Sequence, residues 1–108
     1  MEIINTPIKD LVVIKPKVFA DARGFFFETY NEERYREAGI TQKFVQDNMS
    51  KSSYGVVRGL HFKKPPYSQA KLVQVIEGAV LDVAVDLRSN SETYGQWYAV
   101  ELTAENHL

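Results

Sequence analysis

The sequence predicts an all-β sandwich or barrel carrying one short helix. Three observations lead there: short runs of β-branched and aromatic residues, turn residues at close spacing between them, and a single stretch with helical character. With 108 residues, the chain makes one domain, large enough for a modest core.

The elements follow in order. Leu11 to Ile14 is a short apolar run bounded by Pro7 and Pro16, the pattern of an edge or connecting strand. Asp21-Ala22-Arg23-Gly24 is a turn in which Gly24 supplies a positive φ. Phe25 to Tyr30 has strong β composition. The one helix runs from Glu32 to Ala38: Asn31 caps it, Glu32 and Glu33 sit at its positive end, and Gly39 closes it. Phe44 to Gln46 resumes a strand, Ser52 to Gly55 turns, and Val56 to Phe62 is another strand. Lys64-Pro65-Pro66-Tyr67 is a loop, because two prolines remove two backbone donors. Lys71 to Ile76 and Val80 to Leu87 read as a hairpin about Gly78, and Gly95 to Leu102 as the last strand.

Alternation assigns faces. Leu81, Val83, Val85 and Leu87 form one face, expected as core; Val80, Asp82, Ala84 and Asp86 form the other. The second face is either a polar pocket or a solvated surface, and period alone leaves that open. The expected hairpin offers a way to bring Lys71 and Asp82 into one pocket. Strict alternation sends Arg58 and His61 to opposite faces, and Gly59 between them allows a bulge that turns both inward.

Composition narrows the function classes. Thirteen Lys and Arg against fourteen Asp and Glu give a net charge of −1, so no global field recruits nucleic acid or an anionic membrane. The absence of cysteine excludes disulfides, thiolate nucleophiles and thiolate-ligated metals, and leans toward the cytoplasm. The first residues carry neither a basic n-region nor a long apolar run, so no signal peptide or anchor is expected there. No window approaches the ~20 apolar residues of a membrane span.

Chemistry concentrates in Val56-Val57-Arg58-Gly59-Leu60-His61-Phe62, with Lys71 ten residues after the histidine. Only His61 and His107 are histidines, and His107 is penultimate. A base, a cation for a developing enolate and an anchor for an anion are the groups that remove a proton beside a carbonyl. Each also has a bland reading: His61 as a buried strand histidine, Lys71 as a solvated lysine, Arg23 as a turn arginine, and Phe25 to Phe27 as core. Small β-barrels of the cupin type often bind metal through two closely spaced histidines, a carboxylate and a further histidine. Here Lys63 stands two residues after His61 and no other mid-chain histidine exists, so such a site cannot be built and no catalytic metal is expected.

The chain resembles the N-terminal part of the dTDP-4-dehydrorhamnose 3,5-epimerase family. The matching segments are Pro16-Lys17-Val18-Phe19, Asp21 to Glu28, Phe44-Val45-Gln46-Asp47-Asn48, Arg58-Gly59-Leu60-His61-Phe62, Lys71-Leu72-Val73 and Asp82 to Arg88. They run in family order from near residue 7 to residue 106. Met49 and Lys63 depart from a common histidine and a common glutamine.

The resemblance implies a cupin-like jelly roll with one short helix, incomplete at its C-terminal side, and a cofactor-free proton transfer. The implied substrate is a dTDP-4-keto-6-deoxyhexose, whose 4-keto group acidifies C3 and C5. His61 is then the general base, Lys71 stabilises the enolate oxygen, and Asp82 orients one of the two. Arg23 and Arg58 match positions that contact the nucleotide or its phosphates; Glu28, Gln46, Asp47 and Asn48 match further substrate contacts. A cytoplasmic homodimer with exchanged N-terminal strands is implied as well.

The family continues past Leu108, and its later part supplies a tyrosine acid and an aspartate that orients the base. The chain is therefore expected to be a fragment, a shortened form or a natural short relative. Two alternatives stay open: a non-catalytic domain that only binds the nucleotide sugar, and an epimerase acting at C3 alone or C5 alone.

Overall fold

The computed structural model describes residues 1–108, in two units: Met1–Asn31 with Val73–Leu108, and Glu32–Leu72. The first unit holds three antiparallel two-stranded ribbons.

Strands β1 (Glu2–Asn5) and β2 (Val12–Lys15) pair with Glu2 opposite Lys15 and Asn5 opposite Val12. Their connection is tied by Thr6, whose hydroxyl accepts from the Ile8 N–H at 3.2 Å and donates to the Leu11 carbonyl at 2.8 Å. A short hydroxyl side chain bonding backbone this closely is a turn-forming device. Strand β2 was expected; β1 was not, because its apolar residues are only Ile3 and Ile4.

Strands β3 (Phe19–Asp21) and β4 (Gly24–Phe26) form a hairpin about the turn expected at Asp21-Ala22-Arg23-Gly24; β3 itself was not expected. Gly24 has φ +132°, a conformation that side chains resist. Pairing ends at Phe26, so the strand expected to reach Tyr30 is shorter.

Strands β5 (Ala79–Val85) and β6 (Trp97–Thr103) pair with each other, Ala79 opposite Thr103 and Val85 opposite Trp97. This corrects the expected hairpin between Lys71–Ile76 and Val80–Leu87, since residues 71–76 form no strand. The face expected as core is also corrected: Leu81 is 69% exposed and Leu87 52%, whereas Leu102, on the opposite face beside Val80, is buried. A two-stranded ribbon has nothing stacked on that side, so alternation marks two faces without saying which is covered.

The second unit holds α1 (Glu32–Glu37). Acidic Glu32 and Glu33 occupy its first turn, where the helix dipole favours them. At its end the Gly39 N–H donates to the Arg36 carbonyl at 3.0 Å and the Ile40 N–H to the Tyr35 carbonyl at 2.8 Å. With Gly39 at φ +89°, these are the two bonds of a Schellman stop. Tyr35 is the buried residue of this helix.

After α1 the unit has turns but no strand. The Val56 N–H closes a turn onto the Ser53 carbonyl, and the Tyr67 N–H closes another onto the Lys64 carbonyl. Phe44–Gln46 and Val56–Phe62, expected as strands, are irregular. A strand exists only with a hydrogen-bonded neighbour, and neither segment has a ladder partner here. The bulge expected at Gly59 therefore has no strand to interrupt, although Gly59 does take φ +133°. No helix is long and apolar enough to cross a membrane.

Candidate active site

Arg58, His61, Lys71 and the Gln46–Asn48 segment belong to the second unit; Arg23, Glu28 and Asp82 belong to the first.

In the second unit, Arg58 is anchored by neutral acceptors. Its Nε donates to Ser52 Oγ at 2.9 Å and its Nη2 to the Lys51 carbonyl at 3.3 Å. One edge of the guanidinium is thus fixed while its charge stays uncompensated, and the remaining N–H groups suit a phosphate fork. Gln46 Nε2 donates to Asn48 Oδ1 at 3.3 Å, so these two amides orient one another on either side of Asp47. His61 and Lys71 are both exposed on irregular backbone. The expectation of a buried strand histidine at 61 is therefore not met.

In the first unit, Arg23 projects from the β3–β4 turn. Its Nη2 lies 2.7 Å from Asp21 Oδ2, and its backbone N–H donates to Asp21 Oδ1 at 2.8 Å. Asp21 is held below the usual carboxylate range by these bonds, the guanidinium first. Arg23 is correspondingly raised by the same carboxylate. Unlike Arg58, Arg23 has its charge answered within its own turn. Glu28 is exposed just beyond β4. Asp82 is half-buried on β5 opposite Val100, on the face that carries Leu102.

Two centres drew no role from the sequence. The first is Asp86, at the end of β5. Its carboxylate accepts from Arg88 Nε at 2.9 Å, Ser91 Oγ at 2.5 Å and Thr93 Oγ1 at 2.7 Å, and from the Arg88 N–H at 3.0 Å. Arg88, then Ser91 and Thr93, hold its pKa far below the ordinary carboxylate value. Arg88 also reaches Asp10 Oδ2 and the Lys9 carbonyl, each at 3.0 Å, joining the β1–β2 connection to the β5–β6 loop. Acceptor and donors at positions 86, 88, 91 and 93 were a readable signal for a loop-organising aspartate. The second is His107, whose ring lies 4.6 Å from Phe25 and 4.9 Å from Phe27.

No group of three or more His, Asp or Glu side chains is arranged to hold a metal ion. A groove of about 510 Å³ lined by Pro7, Lys9, Asp10, Arg88 and residues 90–93 contains none of the expected site residues.

The family model for dTDP-4-dehydrorhamnose 3,5-epimerase matches residues 5–108. The chain belongs to that family. It is 52% identical over 107 residues to the dTDP-4-dehydrorhamnose 3,5-epimerase of Shigella flexneri, covering 98% of this chain and 59% of the relative. The crystal structure of the Bacillus anthracis str. Ames enzyme with TDP and PPi bound is 47% identical at TM-score 0.94, covering 98% of this chain and 61% of that one. The Legionella pneumophila Philadelphia 1 dTDP-6-deoxy-D-glucose-3,5-epimerase, in complex with dTDP-4-keto-L-rhamnose, is 52% identical at TM-score 0.91, covering 98% and 56%. The chain thus spans about three-fifths of the length of these family members. At this likeness the ribbons and the single helix are part of the family's cupin-like jelly roll, the all-β fold expected from the sequence.

Proposed function

We propose that this chain carries the proton-abstracting and nucleotide-binding part of an epimerase acting on dTDP-4-dehydro-6-deoxyhexose at C3 and C5, in dTDP-L-rhamnose formation. The observation that carries the reading is the family match over nearly the whole chain, together with relatives caught holding TDP or the keto sugar.

The chemistry follows from the 4-keto group. His61 takes a proton from C3 or C5, and the C–H electrons move into a C–C double bond as the carbonyl becomes an enolate. Lys71 places its ammonium against that oxygen. Return of a proton from the opposite face inverts the carbon, and the carbonyl reforms. No electron is lost or gained, so the reaction needs no redox cofactor. Asp82 orients His61 or Lys71. Arg58 and Arg23 hold the diphosphate, and Gln46, Asp47, Asn48 and Glu28 meet the rest of the substrate. The exposed, uncompensated guanidinium of Arg58 supports its share of this assignment.

We read residues 1–108 as one incomplete jelly-roll domain that acts in the cytoplasm as a homodimer with exchanged N-terminal strands. The open outer edges of the β1–β2 ribbon support strand addition between copies.

The test is solvent-deuterium exchange into C3 and C5 of dTDP-4-keto-6-deoxyglucose. His61→Asn keeps the side chain's size but removes the basic nitrogen, so exchange should slow by about 10²- to 10⁴-fold. Unchanged exchange in His61→Asn removes His61 as the base. Exchange at one carbon only supports a C3-only or C5-only epimerase. dTDP binding with no exchange at all supports the non-catalytic binding domain.

A further inference from the structure

The charge of this chain is nearly balanced in total and strongly segregated along its length. From Asn48 to Ile76 it carries Lys51, Arg58, Lys63, Lys64 and Lys71 and no carboxylate. That stretch holds +5 in a chain whose total is −1, which leaves −6 on the remainder. All five cations are exposed, and neither Lys63 nor Lys64 is in an ion pair. Exposure leaves their charge acting through solvent over about 10 Å at 0.1 M salt.

Arg58 and Lys71 have roles in the reading above, as phosphate anchor and enolate stabiliser. Lys63 and Lys64 have none, yet they sit two and three residues past His61, ahead of the Pro65-Pro66 turn. Their chemistry fits a different task. A nucleoside diphosphate-sugar is a small polyanion, and a field of one sign raises its encounter rate without any fixed contact.

We propose that Lys63 and Lys64 form an electrostatic collector that speeds capture of the nucleoside diphosphate-sugar, separate from the residues that hold it. The inference rests on the substrate class proposed above. It assigns these two lysines to the association step alone: their charge draws the diphosphate toward Arg58, and the bound state gains little from them. The acidic remainder of the chain sharpens the effect, because it repels the same anion elsewhere.

The experiment measures association and dissociation of a 3′-labelled fluorescent dTDP by stopped flow, with the present chain and with K63Q/K64Q, from low salt to 0.5 M NaCl. The variant should associate about 3- to 10-fold more slowly at low salt. The two proteins should converge at high salt, with dissociation rates unchanged throughout. Thymidine, which has no phosphate, should bind both proteins with equal rates. Both substitutions are on exposed side chains, and matching far-UV circular dichroism melts confirm the fold. Equal association rates and equal salt slopes overturn the collector while leaving the substrate reading intact. Faster release from the variant also overturns it, because the lysines are then direct contacts. If the present chain binds no dTDP at all, the substrate reading falls and the collector falls with it.

Discussion

Leu102→Ala and Leu81→Ala make the most direct test of which face of the β5–β6 ribbon is covered. Leu102 is 5% exposed, and Leu81, expected as core from alternation, is 69% exposed. Leucine to alanine removes three carbons, each stabilising by about 0.8 kcal/mol when fully buried, so Leu102→Ala should cost about 2.4 kcal/mol. The cavity term of a closed core adds little, because the opposite residue Val80 is itself half-open to water and the site can relax. Leu81 has roughly a third of that burial to lose, which predicts about 0.8 kcal/mol. Urea unfolding followed by circular dichroism reads the difference as a shift in midpoint at constant slope. Leu102→Val, which removes one carbon, gives a milder point of about 0.8 kcal/mol should the alanine variant fail to fold. Equal costs for the two leucines, or the larger cost at Leu81, would refute the face assignment.

Two further outcomes are expected. Asp86 has its pKa depressed in the folded state, so its contribution is fully present above the ordinary carboxylate value of 3.8 and is lost as pH falls below it. The urea midpoint should therefore drop between about pH 4 and pH 2, and Asp86→Asn should lower it at pH 7 and flatten that acid slope; an acid slope identical in the variant removes Asp86 as its source. Arg58→Ala should weaken dTDP binding by about 10-fold or more, the scale of a charged hydrogen bond. Arg23→Ala should cost less because Asp21 already answers its charge, and calorimetry giving the reverse order would reject the anchor assignment.

What the sequence made legible was local. The Glu32 helix was readable because Glu32, Glu33 and the Gly39 stop all act within a turn of the backbone they serve. The turn between β3 and β4 was readable because Asp21, Arg23 and Gly24 build it themselves, whereas the strand β3 leading into it was not. The partner of Ala79–Val85 was not readable: the nearest β-like segment, Lys71–Ile76, competes on composition with Trp97–Thr103, and nothing local decides the pairing. The Asp86 loop falls between these cases, with donors close in sequence whose convergence depends on the β5–β6 register that brings Gly95 and Gln96 back to Asp86. Residue types at the site followed from ordered motifs, whereas their mutual geometry depends on pairing that motifs do not encode.

That division bears on how the proposed chemistry is positioned. Val57, Leu60 and Phe62 flank Arg58 and His61 and are 90%, 74% and 65% exposed. Apolar side chains of this size gain about 1.5–3 kcal/mol each on full burial, so the segment has a strong drive to acquire a covering surface. A general base must be held within about 0.5 Å of its productive position to work well, and a segment without ladder bonds does not supply that constraint by itself. Burial of Val57, Leu60 and Phe62 and orientation of His61 are therefore one event: whatever surface covers the three apolar side chains also fixes the backbone between them. The chemical identity of the site is written in a short motif, and its precision is written in the contacts that motif makes with distant residues.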